Sequence, residues 1–232
     1  MYGKLLTSNK NMRPQLLIAS DFDGTITRQD TLVELLNAFG SSQWNQVQEK
    51  VVSGNLSIRE GLEAEMASVR ASPQELKRLL ISRIEVEPTF PPFVRQMQRR
   101  GIPLVCLSGG FDLCVQTVLE NAGLWPLPFL ANRLVPLNGT GTVKWHVEFP
   151  YPSVSCSACG FCKGDSIETW NKQGYTTVFV GNGVTDRCAA MTASLTFAKD
   201  ELARWSHSQK IEAIPYRDFR DIEKELTKRG WL

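Results

Sequence analysis

No run of apolar residues in this sequence approaches the roughly 18 that a helix needs to cross a bilayer. The apolar run nearest the N-terminus, residues 16–19, has the length of a β-strand. Residues 1–13 are polar and lack the apolar segment of a secretory signal, so we expect them to be a flexible lead-in. Together these absences predict a cytoplasmic protein without a membrane partner.

An excess of charge of either sign is also lacking. Twenty-six basic residues against twenty-four acidic ones give a net charge of +2, and the basic residues are scattered rather than clustered. This balance excludes the basic footprint that nucleic-acid binding requires. The chain has 232 residues, of which 42% are hydrophobic and 22% charged, and this composition predicts a globular protein with room for one large domain and an insert.

Short apolar runs alternate with helical patterns along most of the chain. Alternation of this kind predicts an α/β fold, with a Rossmann-like parallel sheet covered by helices on both faces. The expected order is a strand at residues 16–20, a helix at 93–100, a strand at 102–107, helices at 111–121 and 165–172, a strand at 177–180, a helix at 185–191, a strand at 195–198, and closing helices.

Residues 31–83 interrupt this alternation with a purely helical pattern. Two capping boxes, in which a Ser is followed three residues later by a Glu, predict helix starts at Ser57 and Ser72. The segment follows directly after the first strand, which is where a lid over a site at the sheet edge belongs. We therefore expect a small all-helical cap.

A second interruption consists of β-like runs at residues 129–149. They surround Asn-Gly-Thr-Gly at residues 138–141, which is a strong hairpin signal, so a small β-hairpin insert is expected here. The predicted division of the chain is then an α/β core at residues 14–30 and 84–232 and a helical cap at residues 31–83.

Polar residues recur where the predicted strands end or helices begin. In open α/β sheets, ligands bind outside the carboxyl ends of the strands, so these residues are the candidates for a functional site. They are Asp21, Asp23, Ser108, Gly109, Gly110, Lys163, Asn182 and Asp186.

The residue types at these positions point to phosphate chemistry. Two carboxylates two residues apart can place one at a substrate and the other within proton-transfer reach. A hydroxyl and glycine amides at a helix start form an anion cradle, and a lysine adds a point charge for phosphate. An oxygen-rich cluster suits Mg²⁺. Alone, paired aspartates are more often turn-formers, a lone lysine is more often a solvated surface charge, and Ser-Gly-Gly is about as often a plain tight turn as a phosphate cradle. It is the ordered set that favours a functional site.

The sequence resembles the four motifs of the haloacid dehalogenase superfamily, in the same order, over residues 16–200. The motifs are Asp-Phe-Asp-Gly-Thr at residues 21–25, Ser-Gly-Gly-Phe at 108–111, Lys163, and Gly-Asn-Gly-Val-Thr-Asp at 181–186. The helical insert and Ser-Gly-Gly-Phe resemble the phosphoserine-phosphatase branch. The cysteines before Lys163 and the sequence Val-Thr-Asp resemble the methionine-salvage phosphatases, which act on 2-hydroxy-3-keto-5-methylthiopentenyl-1-phosphate.

The resemblance implies a role for each motif residue. Asp21 is the implied nucleophile, and Asp23 is the implied acid that protonates the leaving alcohol and then activates water. Phosphate is implied to bind Lys163 and the segment formed by Ser108, Gly109 and Gly110. The expected partner is a small-molecule phosphate ester.

The resemblance also implies a Mg²⁺ site. Its ligands are Asp21, the backbone carbonyl of Asp23, the side chain of Asn182, and Asp186 as the anchor of the cluster. The family usually has Asp where this chain has Asn182. An amide oxygen still ligates Mg²⁺ but carries no charge, so metal affinity should fall. Two alternatives follow: an active enzyme, or a catalytically weakened phosphate-binding protein.

Three of the six cysteines, Cys156, Cys159 and Cys162, stand at successive C-x-x-C spacing. Without a secretory context, this spacing favours thiols or a metal over disulfides. One interpretation is a structural Zn²⁺ with His146 or another thiol as fourth ligand, and the other is a loop of reduced thiols beside Lys163. The remaining cysteines fall within predicted strands or helices and are expected in the core: Cys106, Cys114 and Cys188.

The function predicted from the sequence is Mg²⁺-dependent hydrolysis of a small phosphorylated metabolite through an aspartyl-phosphate. The methionine-salvage substrate is the first hypothesis, and phosphoserine or another small phosphate ester is the alternative. The helical cap is expected to choose the substrate. Glu34 or Arg59 of the cap could face the site, and either could equally face solvent.

Overall fold

The computed structural model describes residues 14–137, 143–153, 156 and 159–232. The lead-in predicted at residues 1–13 and the turn signal at residues 138–141 lie outside these residues.

One sheet lies at the centre of the described structure. Its strands are β1 (Leu16–Asp21), β2 (Leu104–Phe111), β3 (Phe129–Leu137), β4 (Lys144–Glu148), β5 (Thr176–Gly181), β6 (Leu195–Ala198) and β7 (Ile214–Pro215). They are ordered β4-β3-β2-β1-β5-β6-β7, and every neighbouring pair is parallel except β3 and β4. This topology confirms the predicted Rossmann-like fold.

Helices cover both faces of the sheet. They are α1 (Thr31–Phe39), α2 (Trp44–Val52), α3 (Ile58–Ser68), α4 (Pro73–Arg83), α5 (Phe90–Arg99), α6 (Asp112–Asn121), α7 (Lys163–Lys172), α8 (Arg187–Thr192), α9 (Asp200–Ser208) and α10 (Phe219–Lys228). None of the described helices is both long and apolar enough to span a membrane.

The central strand β1 is buried on both faces. Leu16 and Ile18 belong to the larger hydrophobic core, whereas Leu17 and Ala19 belong to the core on the opposite side. An apolar run without polar alternation is therefore required here, since successive side chains point to opposite faces. The strand ends at Asp21, which pairs with Leu107 of β2 and so faces the carboxyl edge of the sheet.

Helices α1 to α4 form the segment predicted as a cap. Both capping boxes are present: Ser57 accepts a hydrogen bond from the Glu60 backbone, Ser72 accepts one from Glu75, and each Glu side chain accepts one in return. These reciprocal bonds satisfy amides that the first helical turn cannot pair internally. The helix starts predicted from the two boxes are confirmed, and the division of the chain into core and cap stays a prediction.

The hairpin of β3 and β4 is continuous with the sheet rather than separate from it. Strand β3 pairs in parallel with β2 and antiparallel with β4, with Val135 opposite His146. On the hairpin, buried Trp145 donates a hydrogen bond from Nε1 to the backbone oxygen of Ala71 at 3.0 Å. The Trp145 side chain therefore links the hairpin to the helical segment.

Two elements differ from the sequence prediction near the functional motifs. Strand β2 continues through Ser108–Phe111 instead of ending at Leu107, because Phe111 pairs again with Asn132 after an irregularity. The helix predicted at residues 185–191 is a 3₁₀ turn at Val184–Asp186 followed by α8. The Asp186 carboxylate accepts hydrogen bonds from the preceding backbone amides and tightens that turn.

We expect Trp145→Phe to lower the free energy of unfolding by about 1–3 kcal/mol, because it leaves the Ala71 carbonyl without its hydrogen-bond donor. Urea unfolding of both proteins measures the difference. Trp125→Phe is the matched control, since Trp125 is 48% exposed, and its effect should stay within about 0.5 kcal/mol. Equal effects of the two substitutions would contradict this role of the hairpin.

Candidate active site

The predicted site residues converge at the carboxyl end of the sheet. A cavity of about 600 Å³ lies there, bounded on the sheet side by Asp21, Asp23, Gly109, Gly110 and Asn182. Its opposite wall comes from α1, α2 and α3 of the helical segment. The first, second and fourth sequence motifs therefore share one cavity.

The ammonium group of Lys163 lies between two carboxylates. Its Nζ donates hydrogen bonds to Oδ1 of Asp21 and to Oδ1 of Asp186, the latter at 2.6 Å. All three side chains are at most 7% exposed. The second oxygen of Asp186 accepts from the backbone amides of Asn182 and Gly183 at 2.9 and 3.0 Å. Lys163 thus joins the end of β1 to the loop after β5.

Close approach of this loop to its neighbours requires two glycines. A Cβ on Gly181 would lie 2.6 Å from Oδ2 of Asp186, so a larger residue would push the carboxylate away from Lys163. Gly24 has φ +76°, and its Cβ would lie 2.4 Å from Nδ2 of Asn182. The Asn182 oxygen accepts a hydrogen bond from Thr25 Oγ1 at 3.1 Å. The turn after β1 and the loop after β5 therefore interlock.

The Lys163 ammonium sets the ionisation of Asp21. Burial, together with repulsion from Asp186, raises the pKa of Asp21 to about 6, although Lys163 opposes the shift. Burial alone would lower the pKa of Lys163, but attraction to Asp186 and Asp21 outweighs it, and the pKa rises. Near neutral pH, Asp21 is thus an ionised carboxylate beside a charged ammonium, the state a nucleophile needs.

Asp23 has different surroundings. Partial burial, and then the negative charge of Asp30, raise the pKa of Asp23 to about 8. Its Oδ1 accepts a hydrogen bond from the backbone amide of Thr31 at 2.8 Å, which opposes the rise. Asp23 is therefore mainly protonated at neutral pH. Of the two carboxyl groups, Asp21 is therefore charged and Asp23 is a proton donor, although they are only two residues apart.

The end of β2 forms a polar cradle beside these carboxyl groups. Ser108 is fully buried, and its Oγ accepts a hydrogen bond from the Gly110 amide at 3.0 Å. A Cβ on Gly110 would lie 3.3 Å from both Ser108 Oγ and Asp23 Oδ2. Buried Asn132 donates from Nδ2 to the Gly109 carbonyl at 2.8 Å. Asn132 holds the cradle from β3, and its sequence context carried no signal of this contact.

Oxygen ligands for a hard divalent cation meet in the same place. The carboxylate of Asp21, the turn containing Asp23 and the amide of Asn182 all line the cavity, and this donor set fits Mg²⁺. Asp186 is fully buried, and both of its oxygens accept hydrogen bonds from Lys163 or from backbone amides. The assignment of Asp186 as a direct ligand stays a prediction, whereas its contacts give it a positioning role.

The helical wall of the cavity contains an acid that the sequence analysis missed. Glu65 of α3 is 2% exposed, and among the described residues its Oε1 has no hydrogen-bond partner. Burial, with a further contribution from Asp30, raises the pKa of Glu65 to about 7. A signal was present, because Glu65 follows Leu62 by three residues on the apolar face of the helix. Glu34 and Arg59 are not among the described residues that line the cavity.

The thiols near Lys163 form a group that differs from the predicted one. The Sγ atoms of Cys156, Cys162 and Cys188 lie within 4.8 Å of one another. Cys188 is half-buried rather than a core residue, because α8 places it beside the loop before α7. Cys159 hydrogen-bonds with Cys156. His146 is exposed on β4 and is not part of this group.

The other two cysteines, Cys106 and Cys114, are buried as predicted. All six cysteines lie within the described residues, and none forms a disulfide.

The sequence profile of the haloacid dehalogenase-like hydrolases matches residues 18–191. This match spans all the motifs that the structure brings together at the cavity. The chain belongs to the haloacid dehalogenase-like hydrolase family. Within this family it is a phosphatase, as its curated relatives and structural neighbours indicate.

Curated relatives extend the similarity over most of the chain. A 2-hydroxy-3-keto-5-methylthiopentenyl-1-phosphate phosphatase of Bacillus cereus is 30% identical over 210 residues, which cover 89% of this chain and 93% of the relative. The Bacillus pumilus protein of the same name is 26% identical, with 90% of each chain covered. A bifunctional enzyme MtnB/MtnX of Bacillus licheniformis is 30% identical over 93% of this chain, which spans 50% of that longer protein.

Solved structures of phosphoserine phosphatases share this haloacid dehalogenase-like fold. One, of a phospho-aspartyl intermediate analogue of phosphoserine phosphatase, has a TM-score of 0.69 and 25% identity, and covers 92% of this chain and 99% of its own. A substrate-bound phosphoserine phosphatase has a TM-score of 0.68, 24% identity and the same coverage. The α/β architecture of the phosphatase is confirmed by these likenesses.

Stability should depend on pH through Glu65. The pKa of Glu65 is about 7 in the folded protein, against an ordinary value of 4.5. Between these two pH values the unfolded chain ionises more readily than the buried group does, so the folded state loses stability as the pH rises from 4.5 to 7. We compare the free energy of unfolding of Glu65→Gln with that of the wild type at two pH values. We expect this difference to favour the variant by about 2 kcal/mol more at pH 8.5 than at pH 5.5.

Urea unfolding of the variant and the wild type at the two pH values measures this difference. The titration of all other groups is common to both proteins and cancels. Glu63→Gln on the same helix is the control, since Glu63 is exposed, and it should show no such pH dependence. A Glu65→Gln effect equal at both pH values would contradict the ionisation of a buried carboxyl group.

Proposed function

We propose that this chain is a Mg²⁺-dependent phosphomonoesterase that acts on a small metabolite through an aspartyl-phosphate on Asp21. The observation that carries the proposal is the buried Lys163 ammonium, which bridges Asp186 and the cavity-lining Asp21. It keeps Asp21 ionised, and its two bonds to Asp21 and Asp186 leave a third N–H to donate to a phosphoryl oxygen. Asp23 lines the same cavity and supplies the proton donor.

In the first step, a carboxylate oxygen of Asp21 attacks phosphorus, and the bond from phosphorus to the ester oxygen breaks. Protonated Asp23 gives its proton to that oxygen, and the alcohol leaves. Lys163, the Ser108 hydroxyl and the Gly109 amide stabilise the negative phosphoryl oxygens, which is the main requirement of phosphoryl transfer. Ser108 Oγ accepts a hydrogen bond from the Gly110 amide, so Gly110 orients the Ser108 hydroxyl, whose own proton is left to donate to a phosphoryl oxygen.

In the second step, Asp23 is a carboxylate and takes a proton from water as the water oxygen attacks phosphorus. The acyl-phosphate bond breaks, Asp21 is released as a carboxylate, and inorganic phosphate forms. Asp23 is then protonated again, so each group returns to its starting state. The raised pKa of Asp23 suits this alternation, because a group that titrates near the working pH can act as acid and then as base.

Mg²⁺ is the proposed cofactor, and the residues that would hold it are Asp21, the backbone carbonyl of Asp23 and Asn182. When bound, the cation supplies further positive charge against the phosphoryl oxygens. The neutral Asn182 amide gives this site one negative charge fewer than an aspartate would. A phosphate-binding protein with weakened catalysis is the alternative that this difference favours.

For the substrate, we propose 2-hydroxy-3-keto-5-methylthiopentenyl-1-phosphate, in the cytoplasm. Support comes from relatives of that name that match nine-tenths of the chain. The alternative, phosphoserine or another small phosphate ester, is supported by the structural neighbours. We propose that residues 31–83 act as the cap that distinguishes these substrates, since they form the wall opposite Asp21.

We also propose a structural Zn²⁺ held by Cys156, Cys162 and Cys188, with Cys159 as the fourth ligand. Zinc–thiolate bonds of about 2.3 Å place sulfur atoms ~3.8 Å apart, and the observed group spans no more than 4.8 Å. Cys162 directly precedes Lys163, and Cys188 lies in α8. The ion would therefore fix the start of α7 against α8.

The enzyme should hydrolyse p-nitrophenyl phosphate with Mg²⁺, and Asp21→Asn should reduce turnover at least about a thousandfold, because an amide cannot form the acyl-phosphate. Steady-state assays of the purified proteins measure this loss. Asp221→Asn, at a surface ion pair of α10, is the control and should retain activity. Near-normal turnover by the Asp21 variant would show that the nucleophile is another residue.

A Mg²⁺ titration tests the role of Asn182. We expect Asn182→Asp to lower the Mg²⁺ concentration for half-maximal activity several-fold, because hard cations favour a carboxylate ligand of the same size. Asn55→Asp adds the same charge at an exposed position and should leave the titration unchanged. An unchanged or higher Mg²⁺ requirement in the Asn182 variant would remove Asn182 from the ligand set.

Metal analysis tests the zinc proposal. Protein purified under reducing conditions from zinc-supplemented cells should contain about one Zn²⁺ per chain, and Cys188→Ala should lose most of it. Cys114→Ala is the matched control, because Cys114 is buried in α6 away from the group. Zinc-free wild-type protein, or full zinc content in the Cys188 variant, would leave the reduced thiols as the better interpretation.

A further inference from the structure

One carboxyl oxygen in the cavity wall has no hydrogen-bond partner among the described residues, and its residue has no role in the proposed reaction. Among the described residues, Oε1 of Glu65 makes no hydrogen bond, although the residue is 2% exposed and helps to line the cavity that contains Asp21 and Asp23. The Gln48 side chain is the hydrogen-bond partner of the Glu65 carboxyl group. Leaving a buried polar oxygen unpaired is costly, and such exceptions need a specific cause.

The charges around Glu65 restrict what can approach it. Asp30 lines the same cavity, and its negative charge acts on both Glu65 and Asp23. Arg187 is the one basic residue among the described residues that line the cavity. Its Nη2 forms a salt bridge with Oε1 of Glu201 at 2.7 Å. A second anionic group on a ligand would therefore face two acids on the helical side, whereas a hydrogen-bond donor would be accepted.

The rest of the helical wall is apolar. It is formed by Leu32, Val51, Val52, Ile58 and Leu62. A fully polar leaving group would lose its hydration there without compensation, while a partly apolar one would gain from burial. The wall thus combines an apolar surface with a few polar groups, the acids Asp30 and Glu65 and the amide of Gln48.

We propose that Glu65 accepts a hydrogen bond from a hydroxyl group of the leaving alcohol, and that the enzyme selects phosphate esters of uncharged hydroxylated alcohols over esters that carry a carboxylate. This inference rests on the proposed phosphatase function and specifies its substrate class. Asp30 strengthens the selection by repelling a second anion. The apolar wall receives the remainder of the carbon skeleton.

Two esters that differ in one group test the proposal. Glycerol 3-phosphate ends in a hydroxymethyl group, and 3-phosphoglycerate has a carboxylate at the same position. At pH 8.5, above the pKa of about 7 that burial gives Glu65, like charges placed together disfavour binding, so the wild-type kcat/KM should favour glycerol 3-phosphate at least ~tenfold. Glu65→Gln should reduce this ratio at least ~fivefold, mainly through KM, since the amide no longer repels the carboxylate.

Glu63→Gln is the matched control on the same helix, where the exposed Glu63 pairs with Arg59, and it should keep the wild-type ratio. A wild-type enzyme without preference, or an unchanged ratio in Glu65→Gln, would overturn the assignment of Glu65. The p-nitrophenyl phosphate assay separates this outcome from failure of the proposed function. If that assay also shows no turnover, calorimetry measures the dissociation constants of the two esters for wild type and Glu65→Gln. A preference for glycerol 3-phosphate that the substitution reduces supports the inference, and an unchanged preference overturns it.

Discussion

The buried ammonium group of Lys163 is the interaction on which the site depends. Two carboxylates this close in the protein interior would repel each other, and removing either from water is costly. The shared cation offsets both effects, and the backbone amides that bind Asp186 satisfy the remaining oxygen. One ion triad therefore connects the end of β1, the start of α7 and the loop after β5. That loop in turn carries Asn182 to the turn after β1.

The same triad makes two similar residues chemically different. Asp21 contacts the cation directly, whereas the neighbouring group with the largest electrostatic effect on Asp23 is another acid, Asp30, which raises its pKa. The pKa of Asp21 accordingly lies near 6 and that of Asp23 near 8. A two-residue spacing at a strand end thus yields a charged group for attack on phosphorus and a proton donor for the leaving oxygen. The helical wall faces both, so selection of the alcohol and its protonation occur in one cavity.

Much of this arrangement could be predicted from the sequence, because the carboxyl ends of parallel strands meet at one edge. Asp21, Ser108 and Asn182 each follow an apolar run, and Lys163 begins a helix. Longer-range packing was less predictable. Glu65 and Cys188 are on helices whose mutual orientation decides what they touch. The sequence analysis did not single out Glu65, and local periodicity assigned Cys188 to the core. The extension of β2 through Ser108 also depends on pairing with Asn132, a partner about two dozen residues away.

The central claim is that Asp21 becomes phosphorylated during turnover. Acid quenching of the enzyme while it hydrolyses p-nitrophenyl phosphate with Mg²⁺, followed by peptide mass spectrometry, tests this claim most directly, because acyl-phosphates survive acid better than neutral pH. The account predicts one phosphoryl group on the peptide that contains Asp21 and Asp23, with fragmentation assigning it to Asp21. A phosphoryl group on another residue, or an unmodified Asp21 peptide under conditions where a pre-steady-state burst demonstrates an intermediate, would contradict it.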